Sequence, residues 1–400
     1  MPSLKYWLWL TELRGLTNQA RLALLRHFES PENVFYADAG EILLTEGITR
    51  TQAALLENRD LSAAGRVLED CQRLGVSVMT IQDAAYPGRL KNIFNPPCLL
   101  YVRGRLPAMD DEAAVAVVGT RKSSPYGEAS AGKLGFGLAR AGAVVVSGLA
   151  AGIDAAAARG ALRAGGTVVG VAGGGVDVAY PKENRYLYED IAAAGAVLSE
   201  HPPGTAPKGS HFPVRNRILS GLSLAALVVE APLYSGALIT AAAALEQGRD
   251  IFAVPGPIDA PGSAGCNRLI QEGAGLVTEP WDMLKEYKDR FPDKLHRGGT
   301  REKPEAAGDP ARRPLEPRPE PEPKPSLPRF SLSRSDMSFT DDQIALLRLL
   351  TEKPILADDL IELSGIPTRR VLSALTVLEV EGLITQHSGK RYTRAVILSE

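Results

Sequence analysis

Only three cysteines occur in the 400 residues, Cys71, Cys98 and Cys266, and no two are close enough to make a CxxC pair. Isolated thiols exclude a disulfide framework and a thiolate zinc site, and they suit a reducing cytosol. The five histidines form no HExxH or other close ligand pair, so no metal is expected. Long apolar runs are missing too. Tyr6-Trp-Leu-Trp-Leu10 stops at Thr11-Glu12, well short of the roughly 18 residues a membrane span needs and too short for a signal peptide. Charge of one sign is not in excess: 45 basic against 47 acidic residues give −2. A nucleic-acid surface must therefore come from a local cluster.

Two motif absences narrow the chemistry. There is no GxGxxG, and no acid stands where a ribose would be held; the strand Val144–Val146 runs into Ser147-Gly148 instead. A standard dinucleotide site is thus disfavoured. No activated Ser/His/Asp or Cys/His set can be assembled, and His201 and His211 have no nucleophile beside them. We read the chain as non-enzymatic and cofactor-free.

What is present divides into four segments. Residues 1–72 carry helical apolar spacing, with turn-plus-cap signals at Gly15-Leu-Thr-Asn18 and Glu46-Gly-Ile-Thr49. Such helix pairs either grip DNA backbone or serve as a packing module. Residues 73–287 alternate strand and helix. Strands are expected at Val76–Ile81, Leu99–Val102, Val115–Val118, Val144–Val146, Val168–Val171, Ala196–Leu198, Ala225–Val229, Ile251–Val254 and Leu276–Val277. Continuous apolar strands separated by Ala-rich helices predict an α/β fold with an open, doubly wound parallel sheet. Nine prolines between Pro304 and Pro328, mixed with charges, predict a disordered linker over 288–337. Residues 338–400 read as three helices (Asp342–Leu350, Ala357–Leu363, Thr368–Glu381). Two strands follow, Leu383–Gln386 and Arg391–Val396, around His387-Ser-Gly-Lys390; this is a winged-helix pattern.

Several loops carry candidate binding groups. Gly119-Thr120-Arg121-Lys122 follows a buried strand, where glycine lets backbone approach a ligand and Arg121 can fork a phosphate. Ser147-Gly148 opens a second glycine turn that ends at Asp154, read as a helix N-cap or, less simply, a catalytic carboxylate. Ala172-Gly-Gly-Gly175 is a third. The densest cluster is Lys208-Gly-Ser-His-Phe-Pro-Val-Arg-Asn-Arg217. A base can stack on Phe212 or His211 while Lys208, Arg215 and Arg217 meet phosphates. The plainer alternative pairs Arg215 or Arg217 with Glu200 or Glu230. Ser235-Gly-Ala-Leu-Ile-Thr240 can cap a helix or bind an anion.

These loops, in order, resemble the DprA/Smf family of DNA-processing proteins. The resemblance rests on Tyr86-Pro87, Gly119-Thr-Arg121 with Tyr126-Gly127, and Ser147-Gly-Leu-Ala-x-Gly-Ile-Asp154. It continues through Phe212-Pro-x-Arg-Asn-Arg217, Ser235-Gly-x-Leu-Ile-Thr240, Pro255-Gly256 and Asn267-x-Leu-Ile-x-x-Gly-Ala274. It implies an extended Rossmann domain flanked by an N-terminal SAM-like helical domain and a C-terminal winged helix. It further implies single-stranded DNA bound without cleavage, delivery of that strand to the RecA recombinase during natural transformation, and displacement or accommodation of single-strand-binding protein. A homodimer around Asn267–Gly275 is also implied. The family usually carries His where this chain has Ala158.

On this reading Gly119, Arg121 and Gly148 hold one phosphate, and Lys208, Arg215 and Arg217 hold its neighbours. About four neutralised phosphates predict a salt slope of roughly −3. A rival comes from another class, a nucleotide-cleaving phosphoribohydrolase of the LOG type on the same core. Its glutamate position falls on Ala243. A further reading sets Thr368-Arg-Arg370 in a major groove, against Val371, Leu375 and Leu378 as simple core.

Overall fold

The computed structural model describes residues 4–297, 329–331, 339–351, 354–387 and 391–399. The chain divides into two compact units, Met1–Pro304 and Glu305–Glu400.

The first unit begins with six short helices: α1 (Leu4–Glu12), α2 (Asn18–Phe28), α3 (Pro31–Tyr36), α4 (Ala39–Leu43), α5 (Arg50–Leu56) and α6 (Ser62–Leu74). Both expected cap signals work. Thr17 Oγ1 accepts the Ala20 N–H, and Thr49 and Gln52 form a reciprocal capping box. Helices this short cannot be stable alone. Trp7, Leu10, Leu24 and Leu56 are buried in the same apolar cluster as Val115 and Val145 of the central sheet.

That sheet has nine strands: β1 (Val76–Thr80), β2 (Leu99–Gly104), β3 (Ala114–Val118), β4 (Val144–Ser147), β5 (Val168–Val171), β6 (Ala196–Ser199), β7 (Ala225–Val228), β8 (Asp250–Ala253) and β9 (Gly275–Leu276). Each lies where the apolar runs predict. Their order is β1-β2-β6-β5-β4-β3-β7-β8-β9. The sheet is not wholly parallel: β1 pairs antiparallel with β2, and β2 with β6. The 81–98 connection from β1 to β2 carries only the single-turn α7 (Gly88–Lys91), without the longer helix that usually makes a parallel crossover. From β6 to β9 every pairing is parallel.

Helices cover both faces: α8 (Pro125–Arg140), α9 (Ile153–Arg163), α10 (Arg185–Ala194), α11 (His211–Gly221), α12 (Gly236–Glu246), α13 (Ala264–Gln271) and α14 (Trp281–Leu284). The pair α8 and α9 touches backbone to backbone. A Cβ on Gly135 would collide with the Ala157 carbonyl, and one on Gly160 with the Gly132 carbonyl. The strand order reverses between β3 and β7, which opens a crevice at the carboxyl ends of the strands.

The expected linker begins too early. Residues 288–297 belong to the folded unit, with Phe291 and Leu295 buried in the main core and Lys294 paired with Glu112. Apolar residues at 287, 291 and 295 share one helical face, which the proline-rich composition downstream obscured. Residues 298–328 and 332–338 lie outside the described residues, while Arg329–Ser331 forms a strand, β10, paired with β14 (Ile397–Ser399).

The second unit contains α15 (Asp341–Leu349), β11 (Ile355–Leu356), α16 (Ala357–Ser364), α17 (Thr368–Val380), β12 (Ile384–His387) and β13 (Arg391–Arg394), with strand order β11-β13-β12. This is a winged helix. Val371, Leu375 and Leu378 sit in its core. Arg370 makes a two-pronged pair with Asp342 at 2.7 and 2.8 Å, so of the proposed groove-reading residues Arg369 is the cation without such a partner among the described residues. The tip of the expected turn, 388–390, lies outside the described residues. No helix among the described residues is long and apolar enough to cross a membrane.

Candidate functional site

A cavity of about 460 Å³ opens at the β3/β7 reversal. Its lining includes Gly119, Thr120, Arg121 and Lys122 after β3, Phe212, Arg215 and Asn216 of α11, and Ser235, Gly236 and Ala237 at the start of α12. At the rim, Arg121 and Lys122 are exposed. The Arg121 guanidinium lies over the Phe212 ring, 4.9 Å from its centroid, a cation–π contact that holds a long side chain in place. Tyr180 leans on the same ring at 5.6 Å. Tyr234 stands fully exposed at the cavity mouth. Ser235 Oγ accepts the Ala237 N–H, capping α12.

The floor differs. Asp154 is buried, and the backbone N–H groups of Gly119, Gly148 and Ala150 face its carboxylate. Burial pushes this carboxyl up to about 6, against the pull of Arg215 and the three N–H donors. A Cβ on Gly148 would strike both Arg215 Nη1 and Asp154 Oδ2, so the two charges converge on that residue. Arg215 is itself buried and donates from Nη1 to the Val171 carbonyl at 3.0 Å, while its Nε has no protein partner. A second acid lies at the turn after β3. Glu230 Oε2 accepts the Ser124 N–H at 2.9 Å, and the Glu230 carbonyl accepts the Thr120 N–H at 2.7 Å.

These contacts redraw the expected site in three ways. First, the N–H groups of Gly119 and Gly148, expected to meet a phosphate, face the Asp154 carboxylate. Second, Asp154 is not an N-cap. Gly152 holds that position, and Asp154 lies in the first turn of α9. Third, the cation cluster splits. Phe212, Arg215, Asn216 and Leu219 recur at helical spacing and face the cavity, whereas His211, Val214 and Arg217 point to the opposite side of α11.

There Arg217 and Lys208 line a second cavity of about 580 Å³, with Arg21, Glu200 and His201. Arg217 Nη2 donates to both Glu200 oxygens at 2.7 and 2.6 Å, which is the pairing the plainer reading allowed. His211 stacks on His201 at 4.2 Å rather than standing free for a base, and its Nδ1 bonds the Gly173 carbonyl. Burial, with the His211, Arg217 and Lys208 charges, pulls His201 down to about 4. Lys208 is exposed. Ser147 is fully buried; its Oγ donates to the Asp154 carbonyl and accepts the Leu149 N–H, so it reaches neither cavity. Ala158 is buried in the core and does not line the first cavity. Among the described residues no group of three His, Cys, Asp or Glu is arranged to hold a metal ion.

Asp154 and Glu230 were the residues whose importance the sequence reading undervalued. In sequence Asp154 shows only as the acid that closes the glycine turn after β4; the N–H groups around it come from two turns that meet once the sheet has formed.

The family model described as DNA recombination-mediator protein A matches residues 77–288, and that described as the DprA winged helix domain matches 316–390. Protein Smf of Synechocystis sp. is 33% identical over 97% of this chain and 98% of its own length. The DNA processing protein DprA of Streptococcus pneumoniae is 40% identical over 72% of this chain and its full length. A crystal structure of DprA from the same species superposes with a TM-score of 0.63 at 39% identity, covering 70% of this chain and 97% of that one. With motifs, sheet order and both domains in agreement, the chain belongs to the DprA/Smf family of DNA-processing proteins.

Proposed function

We propose that this protein binds single-stranded DNA at the β3/β7 cavity and acts as a non-enzymatic recombination mediator. The observation that carries the reading is the rim: Arg121 fixed over Phe212, with Lys122 beside it and the α12 N-terminus opposite. Cations next to an aromatic face suit a strand whose bases are unpaired. Phosphates meet Arg121, Lys122 and, around the end of α11, Lys208. Arg215 and Arg217 stay with their internal partners. Thr120 and Gly119 shape the approach, while Ser147 and Gly148 hold the floor from behind. The strand is held by its backbone, so sequence preference is weak.

The finer reading is that the bound strand is handed to RecA during natural transformation, in the cytosol, past single-strand-binding protein. Two copies pair around Asn267–Gly275, where Leu245 and Leu276 are exposed beside α13. The LOG-like alternative lacks its base, since Ala243 has no carboxylate.

The test is a fluorescence-anisotropy titration of a labelled oligonucleotide with the wild type and Arg121→Glu. The reading is wrong if charge reversal leaves affinity unchanged. For the finer part, a strand-exchange assay asks whether the protein lets RecA nucleate on DNA already coated with single-strand-binding protein.

A further inference from the structure

In doubly wound folds, phosphate sits on main-chain N–H groups at the turns after the first strands, where the helix dipole adds its pull. In this chain those turns follow β3 and β4, and neither is vacant. After β4, one carboxylate, Asp154, lies against Gly148 on the cavity floor, where a Cβ on that glycine would strike its Oδ2, and N–H groups from Gly119, Gly148 and Ala150 face it. It also faces Arg215, a buried cation with a free Nε. After β3, Glu230 takes the Ser124 N–H, and Ser124 Oγ takes that of Gly127.

We infer that Asp154, seconded by Glu230, is a specificity residue: it fills the anion seat with the protein's own charge and so bars the terminal phosphate of a mononucleotide. This deepens the strand-binding reading and rests on it for its consequence. A terminal phosphate monoester needs a converging set of donors to bind well. A DNA backbone needs only exposed cations along a rim. With the convergent seat occupied from within, the cavity discriminates against free nucleotides, which would otherwise compete for the same crevice.

The geometry also says what removal of the carboxylate does. Asp154 lines the cavity floor. Its loss exposes three N–H donors and an unpaired guanidinium to a space open to solvent. An external anion can then take the vacated place, and by binding only the folded state it raises stability.

The experiment compares wild type and Asp154→Ala by thermal melting in inorganic phosphate, in formate and in chloride of matched ionic strength. The expected result is a rise in melting temperature with phosphate or formate for Asp154→Ala and none beyond chloride for the wild type. A folded Asp154→Ala that ignores all three anions overturns the inference. If the variant does not fold, wild-type protein labelled at glycine and alanine amides decides alone. Adding phosphate should leave the Gly119, Gly148 and Ala150 resonances in place. Displacement of those resonances means the seat was open, and the inference fails. The oligonucleotide titration runs beside these arms: a wild type that ignores single-stranded DNA sinks the strand-binding reading while the seat assignment stands.

Discussion

Arg215 and Arg121 approach the same phenyl ring from either side of a burial boundary, at 5.9 and 4.9 Å from the Phe212 centroid. Arg215, on the floor, is buried, with the Asp154 charge nearby and the Val171 carbonyl as acceptor. Arg121, on the rim, has only the ring and solvent. The same guanidinium thus serves the fold in one place and is available to a ligand in the other. Counting cations in a sequence cluster therefore overstates what a nucleic acid can use. Of the five cations in the expected site, Arg217 is held by Glu200, and Arg215 is buried on the Val171 carbonyl with the Asp154 charge nearby.

The contrast is sharpest if each arginine is removed in turn. Arg215→Ala leaves the buried Asp154 without the nearby cation and the Val171 carbonyl without its donor, and an unsatisfied buried group costs about 1–3 kcal/mol. Urea denaturation should show that loss, and an unchanged midpoint would erase the distinction between floor and rim. Arg121→Glu should leave the urea midpoint nearly unchanged and weaken oligonucleotide binding by ~1–2 kcal/mol, about five- to thirtyfold.

A smaller effect concerns salt. With Arg121, Lys122 and Lys208 as the available cations, log K against log[salt] should fall with a slope of about −2, since each single-strand contact contributes about −0.7. This replaces the value near −3 that the sequence cluster implied; a slope of about −3 would return Arg215 or Arg217 to the interface.

The smallest effect tests the far side of α11. The folded state holds His201 at about 4, below its ordinary 6.5. A depressed histidine keeps its stabilising contribution above about pH 6.5 and loses it as pH falls toward 4. Urea midpoints should drop over that window, and His201→Phe should flatten the drop. His211, Arg217, Lys208 and Glu200 face the same cavity, so the slope reports the group rather than one ring.

The sheet was legible because its strands are buried on both faces and so read as unbroken apolar runs. Nine of nine positions follow from that one property. The antiparallel edge was not, because pairing direction depends on the path of the 81–98 connection and not on strand composition. At the site, Arg121 and Phe212 could be placed by their neighbours in sequence. The split of Arg215 from Arg217 was available too: residues two apart on a helix face away from each other, and reading the stretch as a loop hid it. Asp154 could not be placed, since the groups it binds come from the turns after β3 and β4, some 30 residues apart, and meet only once the sheet has formed.

The backbone contact between α8 and α9 has a dynamic consequence. Both helices start at the cavity, so locking them together through Gly135 and Gly160 locks the two turns at their heads. The floor then reaches a ligand already ordered, and association forfeits conformational freedom only in the rim side chains. Amide exchange should be slow along both helices and in the Gly119 and Gly148 turns, with or without DNA, so that a strand meets a rigid block edged by a few mobile side chains.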